Sequence, residues 1–432
     1  MQIDWVEKME NFRIKFHDQV RFQRGEKKTL VVNLENRKNL FVGNEFLEYI
    51  EQAQSQKLRV IDFINAFERE EDIQYAKDVI DYIDMCSMWE DRSFKLSEKV
   101  INLSLDITNE CNLRCKHCCV SAGEHLYGMD LDTDKMKQIL NKIYEFNPYS
   151  LSISGGEPLV RSDFREIVED ISDHYSGRLD LMTNGTLIDA RMAEFIVKHF
   201  DMVSVSLDGV NEETTALIRG TGVFEKTVNG IKLLKKYGAK HLEATMVVCK
   251  ENEKYIRNFK ELCEKLGVKD RLRILEPGGR IDNNANEIHY VDPEVYPDGA
   301  ALGAYLEHCL KQGMNKMHPQ TCSCQAARRE FLIDFKGDIY PCAALLDEEL
   351  KMGNIFEIND IKDYFINRRY LSSDGYREFE KYLPYNVEGC KECNKNLICH
   401  TCVRTVKDLV STGNLHRECK FNSQYYDLYW KE

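Results

Sequence analysis

The sequence lacks any apolar run near the roughly 18 residues that a membrane-spanning helix needs, so we expect no membrane partner. It also lacks an excess of basic residues. Its net charge of −13 argues against a general nucleic-acid binder, because such binding draws on a basic face. No basic start followed by an apolar stretch is present, so we expect a cytoplasmic location rather than export. The 432 residues allow two or three domains.

Cysteine, in contrast, is abundant, with sixteen residues. Without an export signal, clustered thiols more often bind metal or do redox chemistry than form disulfides. Twelve of them fall into two compact groups. The other four lie in helix-like or strand-like stretches, and we expect them to be small buried hydrophobic residues: Cys86, Cys249, Cys263 and Cys309.

The pattern of apolar residues divides the chain into three segments. Residues 1–97 contain two strand-like runs and then helical patterns at about 44–54, 58–69 and 71–88. Residues 98–310 alternate six apolar strands with helices, which predicts an α/β fold with a parallel sheet. Because no dinucleotide-binding glycine pattern occurs, we expect a partial (β/α)6 barrel of the TIM type, with its chemistry at the carboxyl ends of the strands. Residues 311–432 are irregular and cysteine-rich, which predicts organisation by metal clusters more than by a large core.

A first cysteine group directly follows the first barrel strand. Cys111, Cys115 and Cys118 stand at positions i, i+4 and i+7, a spacing that lets three thiolates bind three irons of a four-iron cluster. The fourth iron then stays open for a ligand. Zinc sites more often show paired C-x2-C spacings. A face of buried cysteines is disfavoured because the neighbouring residues are polar.

This loop resembles the signature of the radical S-adenosylmethionine (radical SAM) superfamily, and further motifs follow in that family's order. Gly155-Gly156-Glu157-Pro158, Thr183-Asn184-Gly185 and Ser206-Leu-Asp208-Gly209 end the next three strands, and Arg219 comes after them. In that family the open iron binds the amino and carboxylate groups of S-adenosylmethionine. The resemblance implies that one electron cleaves the cofactor to a 5′-deoxyadenosyl radical, which abstracts hydrogen from a carbon.

The same resemblance implies cofactor-binding roles. Gly155 and Gly156 would allow close backbone approach to the cofactor, and Glu157 offers an acceptor for its ammonium group. Arg219 can contact a carboxylate through two nitrogens. The other cofactor-binding residues implied are His117 against the adenine, together with Pro158, Thr183, Asn184, Ser206 and Asp208.

A second cysteine group lies in the last segment and supplies eight thiols, enough for two four-ligand sites. From Cys324 onward it resembles the seven-cysteine SPASM domain, although two residues separate Cys399 from Cys402 where that family usually has three. The resemblance implies an outer cluster on Cys390, Cys393, Cys399 and Cys419, and an inner cluster on Cys324, Cys342 and Cys402 with Cys322 as an uncertain fourth ligand. Together with the catalytic cluster this makes three [4Fe–4S] clusters. Two structural zinc sites are the alternative.

The first segment resembles the small, winged-helix-like, PqqD-like leader-recognition domain of peptide maturases, in which an edge strand pairs with the leader of a precursor. A structural cap is the alternative. The whole chain thus resembles a radical SAM/SPASM maturase of ribosomally made peptides. We expect it to form a cysteine thioether, as in sactipeptides or ranthipeptides, with an electron donor such as flavodoxin or ferredoxin.

Other functions stay open at this point. The same scaffold makes carbon–carbon or carbon–oxygen links and epimerises residues. An anaerobic sulfatase-maturating enzyme is disfavoured by the extra 97 residues at the start, and a non-catalytic metal-stabilised binding protein by the first cysteine loop. Glu276, near the end of the sixth strand, is a general-base candidate without further support.

Overall fold

The structure, a computed structural model, describes residues 12–90, 98–123, 128–291, 324–399, 402–413 and 419. Cys309 and Cys322 lie outside these residues, so the expectations for them stay predictions. Cys86, Cys249 and Cys263 are buried, as expected, with at most 2% of their surface exposed. No helix in the described ranges is both long and apolar enough to cross a membrane.

The first segment folds as an antiparallel sheet packed on helices. Its strands stand in the order β1–β2–β3, and its core includes Leu47, Ile80 and Trp89. The sequence did not indicate β1, because three of its five side chains are exposed: Arg21, Phe22 and Arg24. The helix expected at 58–69 is shorter and ends at Ile64, although Phe67 beyond it still packs against the core. The elements are β1 (Val20–Arg24), β2 (Lys28–Asn33), β3 (Asn39–Gly43), α1 (Asn44–Ser55), α2 (Val60–Ile64) and α3 (Glu70–Met85).

The middle segment supplies six parallel strands that pair in chain order, which confirms the expected α/β partial barrel. Every described motif that resembles the radical SAM pattern follows one of these strands. The elements are β4 (Asn102–Asp106), α4 (Thr133–Phe146), β5 (Ser150–Ser154), α5 (Phe164–His174), β6 (Arg178–Thr183), α6 (Ala190–His199), β7 (Met202–Ser206), α7 (Glu212–Arg219), α8 (Phe224–Lys236), β8 (His241–Val248), α9 (Ile256–Leu266), β9 (Lys269–Ile274) and α10 (Arg280–Asn283).

The helix α4 illustrates why these residues fold as they do. Asp132 caps its first turn by accepting a hydrogen bond from the backbone N–H of Lys135. Its buried residues recur every three or four positions, so one face packs on the sheet. The helix ends at Asn147, which adopts the left-handed conformation with φ of 50°.

The last segment contributes more to the core than its sequence indicated. Its strand β10 pairs in parallel with β4 and extends the barrel sheet, followed by β11 and β12. Phe365 stacks on Phe146 of α4 with ring centroids 5.0 Å apart, so the two segments share one hydrophobic core. The elements are β10 (Glu330–Ile333), β11 (Asp338–Tyr340), β12 (Gly353–Asn354), α11 (Ile361–Ile366), α12 (Asp374–Glu380) and α13 (Val403–Ser411).

The first and last segments also contact each other directly. The turn between β2 and β3 presents the carbonyl oxygens of Glu35 and Asn36, and Arg328 donates to both. The carboxylate of Glu35 pairs with Arg368. These polar contacts join the small sheet to the last segment.

Candidate active site

The residues singled out in the sequence meet at one end of the barrel. The catalytic loop, residues 108–123, leaves β4, and the Gly155, Thr183 and Ser206 motifs lie at the ends of β5, β6 and β7. Because parallel strands end at the same edge of a sheet, the four motifs lie side by side.

Gly155 and Gly156 let two strand ends come into direct backbone contact. The backbone N–H of Gly156 donates to the Thr108 carbonyl at 2.8 Å, and that of Glu157 donates to the Glu110 carbonyl at 2.8 Å. A Cβ atom on either glycine would stand 2.2 Å from one of these carbonyl oxygens. Gly155 also has a φ of +128°, which other residues rarely adopt. The glycines therefore position the chain just before Cys111.

Glu157 is buried, with 1% of its surface exposed, and its carboxylate joins two strand ends. It accepts hydrogen bonds from the Thr183 hydroxyl at 2.7 Å and the backbone N–H of Asn184 at 2.6 Å. Burial raises the pKa of Glu157, and these hydrogen bonds oppose that effect. The structure thus gives this carboxylate protein partners where the sequence suggested an ammonium group of the cofactor.

The side chain of Asn184 extends this network to the catalytic loop. Its amide nitrogen donates to the side-chain oxygen of Asn112 at 2.9 Å. The hydroxyl of Thr227 donates to the Asn184 carbonyl at 3.0 Å. Asn184 therefore links the end of β6 to the residue next to Cys111.

A buried charged group lies on the other side of the loop. Asp208, which is fully buried, accepts from Arg219 Nε at 2.6 Å and from the backbone N–H of Val247 at 2.6 Å, and it contacts His117 Nε2 at 2.7 Å. Burial alone would raise the pKa of Asp208, but Arg219 and His117 outweigh it and hold that pKa well below its usual range. Asp208 therefore stays ionised and orients both partners.

His117 keeps one buried ring atom free for a ligand. With Nε2 on Asp208, its Nδ1 has no hydrogen-bond partner among the described residues, although it is buried. Buried polar atoms are normally satisfied. An unpartnered nitrogen beside the cysteine loop fits a bound cofactor at this place.

The three thiols of the loop lie close together. Burial, together with smaller contributions from Glu157, Cys115 and Cys118, raises the pKa of Cys111 to about 11. Backbone N–H groups point at two of the sulfur atoms, Leu113 N to Cys111 Sγ at 3.4 Å and Ala122 N to Cys118 Sγ at 3.5 Å. Arg219 reaches Cys115 Sγ at 3.8 Å. These donors are suited to a cluster whose sulfur ligands carry negative charge.

Arg280 holds the backbone of this loop, and the sequence gave it no role. Its side chain donates to the carbonyls of Cys115 at 3.0 Å and Ala122 at 2.9 Å, and its backbone N–H donates to that of Cys118 at 2.9 Å. The signal available was the Gly-Gly-Arg run after β9, where Gly279 has a φ of +60° and its Cβ position lies 2.4 Å from the Cys118 carbonyl. Such a close approach favours glycine.

The described thiols of the last segment form two further groups. Cys324, Cys342 and Cys402 make up the inner thiol group. The pKa of Cys402 is raised first by burial, then by Glu276, Cys324 and Cys342, so these residues lie together. The outer thiol group is Cys390, Cys393, Cys399 and Cys419, and burial followed by the other three thiols raises the pKa of Cys390 to about 11.

Within each of these two groups the thiols lie near enough to one another to raise the pKa of a neighbouring thiol. That proximity is compatible both with iron–sulfur clusters and with the zinc alternative.

A cavity of about 460 Å³ opens between the catalytic loop and the inner thiol group. Its lining includes Cys119 and Gly155. It also includes Ala343, which follows Cys342, and Arg404, which lies two residues after Cys402. Glu276 does not line it, and its carboxylate accepts from the Thr405 hydroxyl at 3.1 Å.

Comparison with protein families agrees with this geometry. The radical SAM superfamily matches residues 105–263, and the SPASM iron–sulfur cluster-binding domain matches residues 322–394. Together with the site, these matches make the chain a radical SAM enzyme with a SPASM domain. S-adenosylmethionine and iron–sulfur clusters are its cofactors.

Individual relatives are similar over most of the chain. The mycofactocin maturase MftC of Mycolicibacterium smegmatis is 28% identical over 303 residues, covering 68% of this chain and 75% of that protein. The AdoMet-dependent heme synthase of Oleidesulfovibrio alaskensis is 25% identical over 331 residues, covering 69% of this chain and 81% of that protein. The two names differ in chemistry, so similarity by itself leaves the substrate open.

Two solved structures have a similar fold. The structure of anSMEcpe with bound AdoMet and Cp18Cys peptide has a TM-score of 0.54 at 20% identity and covers 76% of this chain and 96% of that one. The structure of Streptococcus suis SuiB bound to precursor peptide SuiA has a TM-score of 0.54 at 17% identity. It covers 92% of this chain and 97% of that one. The second likeness takes in most of the first segment as well.

Proposed function

We propose that this enzyme oxidatively modifies a ribosomally made precursor peptide and forms a thioether between a cysteine sulfur and a carbon atom. The observation that carries the proposal is the 460 Å³ cavity, whose lining includes both residues of the catalytic loop and chain neighbours of the inner thiol group. A substrate there would lie near a hydrogen-abstracting centre and near an electron acceptor. A relative named as a maturase and a structural neighbour bound to a precursor peptide support a peptide substrate.

The predicted cofactor-binding residues have different roles, which follow from their positions. Cys111, Cys115 and Cys118 would bind the catalytic cluster and leave one iron for S-adenosylmethionine, which supplies hydrogen-atom abstraction when bound. Gly155, Gly156 and the backbone near Thr183 and Ser206 would line the cofactor's cradle. Asp208 holds Arg219 and His117 in place for it.

The SPASM thiols would hold two auxiliary clusters, giving three [4Fe–4S] clusters and about twelve irons per chain. The outer cluster uses the four thiols of the outer group. The inner cluster uses Cys324, Cys342 and Cys402, with Cys322 or a substrate thiolate at its remaining iron. Forming a thioether removes two hydrogens as one hydrogen atom, one proton and one electron. The inner cluster is suited to accept that electron because iron–sulfur centres span a wide range of potentials.

Mass measurement after thiol blocking tests the bond type. Enzyme, cofactor, a flavodoxin or ferredoxin type of donor and the precursor are incubated without oxygen, and free thiols are then alkylated. A loss of about two mass units, the two hydrogens of the net oxidation, with one fewer alkylated thiol supports a thioether. The same loss with all thiols free would favour a carbon–carbon or carbon–oxygen link, and deuterium uptake without mass loss would favour epimerisation.

We also propose that the first segment, residues 1–97, binds the leader. Both β1 and β3 are edge strands of its sheet, and an edge strand can pair with an extended peptide. A cavity of about 550 Å³ between its helices is lined by aromatic side chains, of which Tyr49 and Tyr75 are 43% and 47% exposed. A structural cap has no need of such a groove.

Paired substitutions test this role. Tyr49→Ala with Tyr75→Ala should weaken precursor binding at least about tenfold while cofactor cleavage without peptide stays unchanged, because aromatic side chains dominate peptide grooves. Tyr149→Ala is the matched control, since Tyr149 is 53% exposed on the barrel. Equal affinity of the double variant and the control would favour the cap.

A further inference from the structure

Two carboxyl groups stand side by side at the strand ends of the active site. Asp106 is the last residue of β4, and Asp334 directly follows β10. The parallel register pairs Leu105 with Ile333, so the next residues of the two strands are neighbours. Asp106 and Asp334 are only 8% and 6% exposed. Two neighbouring buried carboxyl groups disfavour each other's ionisation.

Both residues line the 460 Å³ cavity described above, together with Cys119 and Gly155. They therefore face the same space as the catalytic loop. Burial, together with a smaller contribution from Asp334, raises the pKa of Asp106 to about 7. Burial also raises the pKa of Asp334 to about 6. A carboxyl group in this range exchanges protons near neutral pH.

The two residues are not equivalent. Asp334 Oδ1 accepts the backbone N–H groups of Lys336 and Asp338, both at 2.9 Å, and so holds the turn between β10 and β11. Asp106 makes a hydrogen bond with Ser154, its register partner on β5. Asp106 is thus the more available group, with Asp334 fixed beside it.

The charged and titratable groups around Asp106 come from several elements. Asp334 faces it from β10, and Cys119 faces it from the catalytic loop. The cations among the described residues that line the cavity are Lys336 and Arg404. Arg404 is paired with Asp347, and Lys336 lies 3.4 Å from Asp338 and 3.8 Å from Asp334. Neither cation is committed to Asp106.

We propose that Asp106 is the proton acceptor of the oxidation, with Asp334 as its positioning partner; this inference rests on the proposed function. The bond-forming step breaks a carbon–hydrogen bond and a bond from hydrogen to the attacking atom, and it forms one new link. The hydrogen atom goes to the nucleoside fragment of the cofactor, which becomes 5′-deoxyadenosine. The remaining electron goes to an iron–sulfur cluster, and the proton goes to the Asp106 carboxylate.

The test measures cofactor cleavage and peptide modification separately in the reconstituted holoenzyme with its precursor peptide. In Asp106→Asn, 5′-deoxyadenosine formation should stay within about twofold of wild type while modified peptide per deoxyadenosine falls at least about 100-fold, the range expected for loss of a general base. Asp334→Asn keeps a side-chain oxygen that can accept the hydrogen bonds of the turn. In this variant the ratio of modified peptide to deoxyadenosine should therefore fall less. Asp106→Glu should restore part of the ratio.

Glu166→Gln is the control, because Glu166 on α5 pairs with Lys137 at 2.6 Å, has 58% of its side chain exposed and does not line the cavity. Its ratio should equal that of wild type. An unchanged ratio in Asp106→Asn overturns the proposal. So does a parallel loss of deoxyadenosine and modified peptide with full iron content, since Asp106 would then act on the cofactor. If wild-type enzyme cleaves its cofactor and leaves the peptide unchanged, the proposed function fails, and this inference fails with it.

Discussion

The catalytic loop and the outer thiol group present cysteines in opposite structural settings. The loop's backbone is held from distant parts of the chain, by Arg280, by the carbonyl of Ile218 and by the Gly155 turn. Around Cys390 and Cys393 the hydrogen bonds run between near neighbours, such as Cys393 N to the Cys390 carbonyl at 2.9 Å. We therefore expect the barrel to form its site before a cluster binds, and the outer group to depend on bound metal to hold its own chain together.

The largest effect should come from removing the catalytic thiols. Cys111→Ala, Cys115→Ala and Cys118→Ala together should remove about four of about twelve irons and abolish cofactor cleavage. The barrel should still fold, because its hydrogen bonds to the loop use backbone atoms. Iron analysis, deoxyadenosine assays and far-ultraviolet circular dichroism check this. Loss of the cooperative unfolding transition in the triple variant would contradict the view of a preformed site.

Removing outer thiols should spare cofactor cleavage, in contrast to removing the catalytic thiols. Cys390→Ala with Cys393→Ala should also cost about four irons, yet cofactor cleavage should persist while peptide modification is lost. The segment 388–399 should become sensitive to protease, since metal binding and local folding are coupled. Cys263→Ala is the control, because Cys263 is buried in the barrel core and should leave the iron content unchanged. Protease resistance of the double variant would remove the contrast between the two regions.

A smaller effect is expected at the buried charges beside the loop. Asp208→Asn leaves Arg219 buried without its partner, so we expect a loss of about 3–5 kcal/mol in unfolding free energy and weaker cofactor binding. Because the pKa of Asp208 is lowered in the folded protein, its contribution is full at neutral pH and is lost only as the pH falls through that low pKa. Chemical denaturation and cofactor titration measure both.

The control for this change is Asp363→Asn, at an exposed ion pair with Arg369. It should not move the unfolding midpoint, because exposed pairs add little. Equal effects of the two substitutions would mean that the Asp208 group does not stabilise the loop.

The smallest effect concerns pH. As Asp106 ionises with a pKa of about 7, modified peptide per deoxyadenosine should rise about tenfold from about pH 6 to pH 8, since only the ionised carboxylate accepts a proton. The free energy of unfolding changes with pH in the opposite direction. A pKa raised by folding means that stability falls as the pH rises from the ordinary carboxyl range towards 7. Asp106→Asn should flatten both profiles, and an unchanged pH dependence in that variant would assign the ionisation to another group.

Much of this protein was decided by local sequence. The six strands of the barrel, the spacing of Cys111, Cys115 and Cys118 and the motifs at Gly155, Thr183 and Ser206 were all visible, because period and spacing are short-range properties. The strand β1 was missed because Arg21, Phe22 and Arg24 hide its alternation.

Tertiary structure alone decided which distant residues act together. Arg280 lies more than 150 residues from the loop carbonyls that it holds, and no local pattern records such a contact. The strand β10 looked like part of an irregular tail, yet it pairs with β4 and brings Asp334 beside Asp106. Sequence determines which residues can form a strand or bind iron. Which strands become neighbours depends on the burial of apolar faces over the whole chain, and that neighbourhood creates the carboxyl pair.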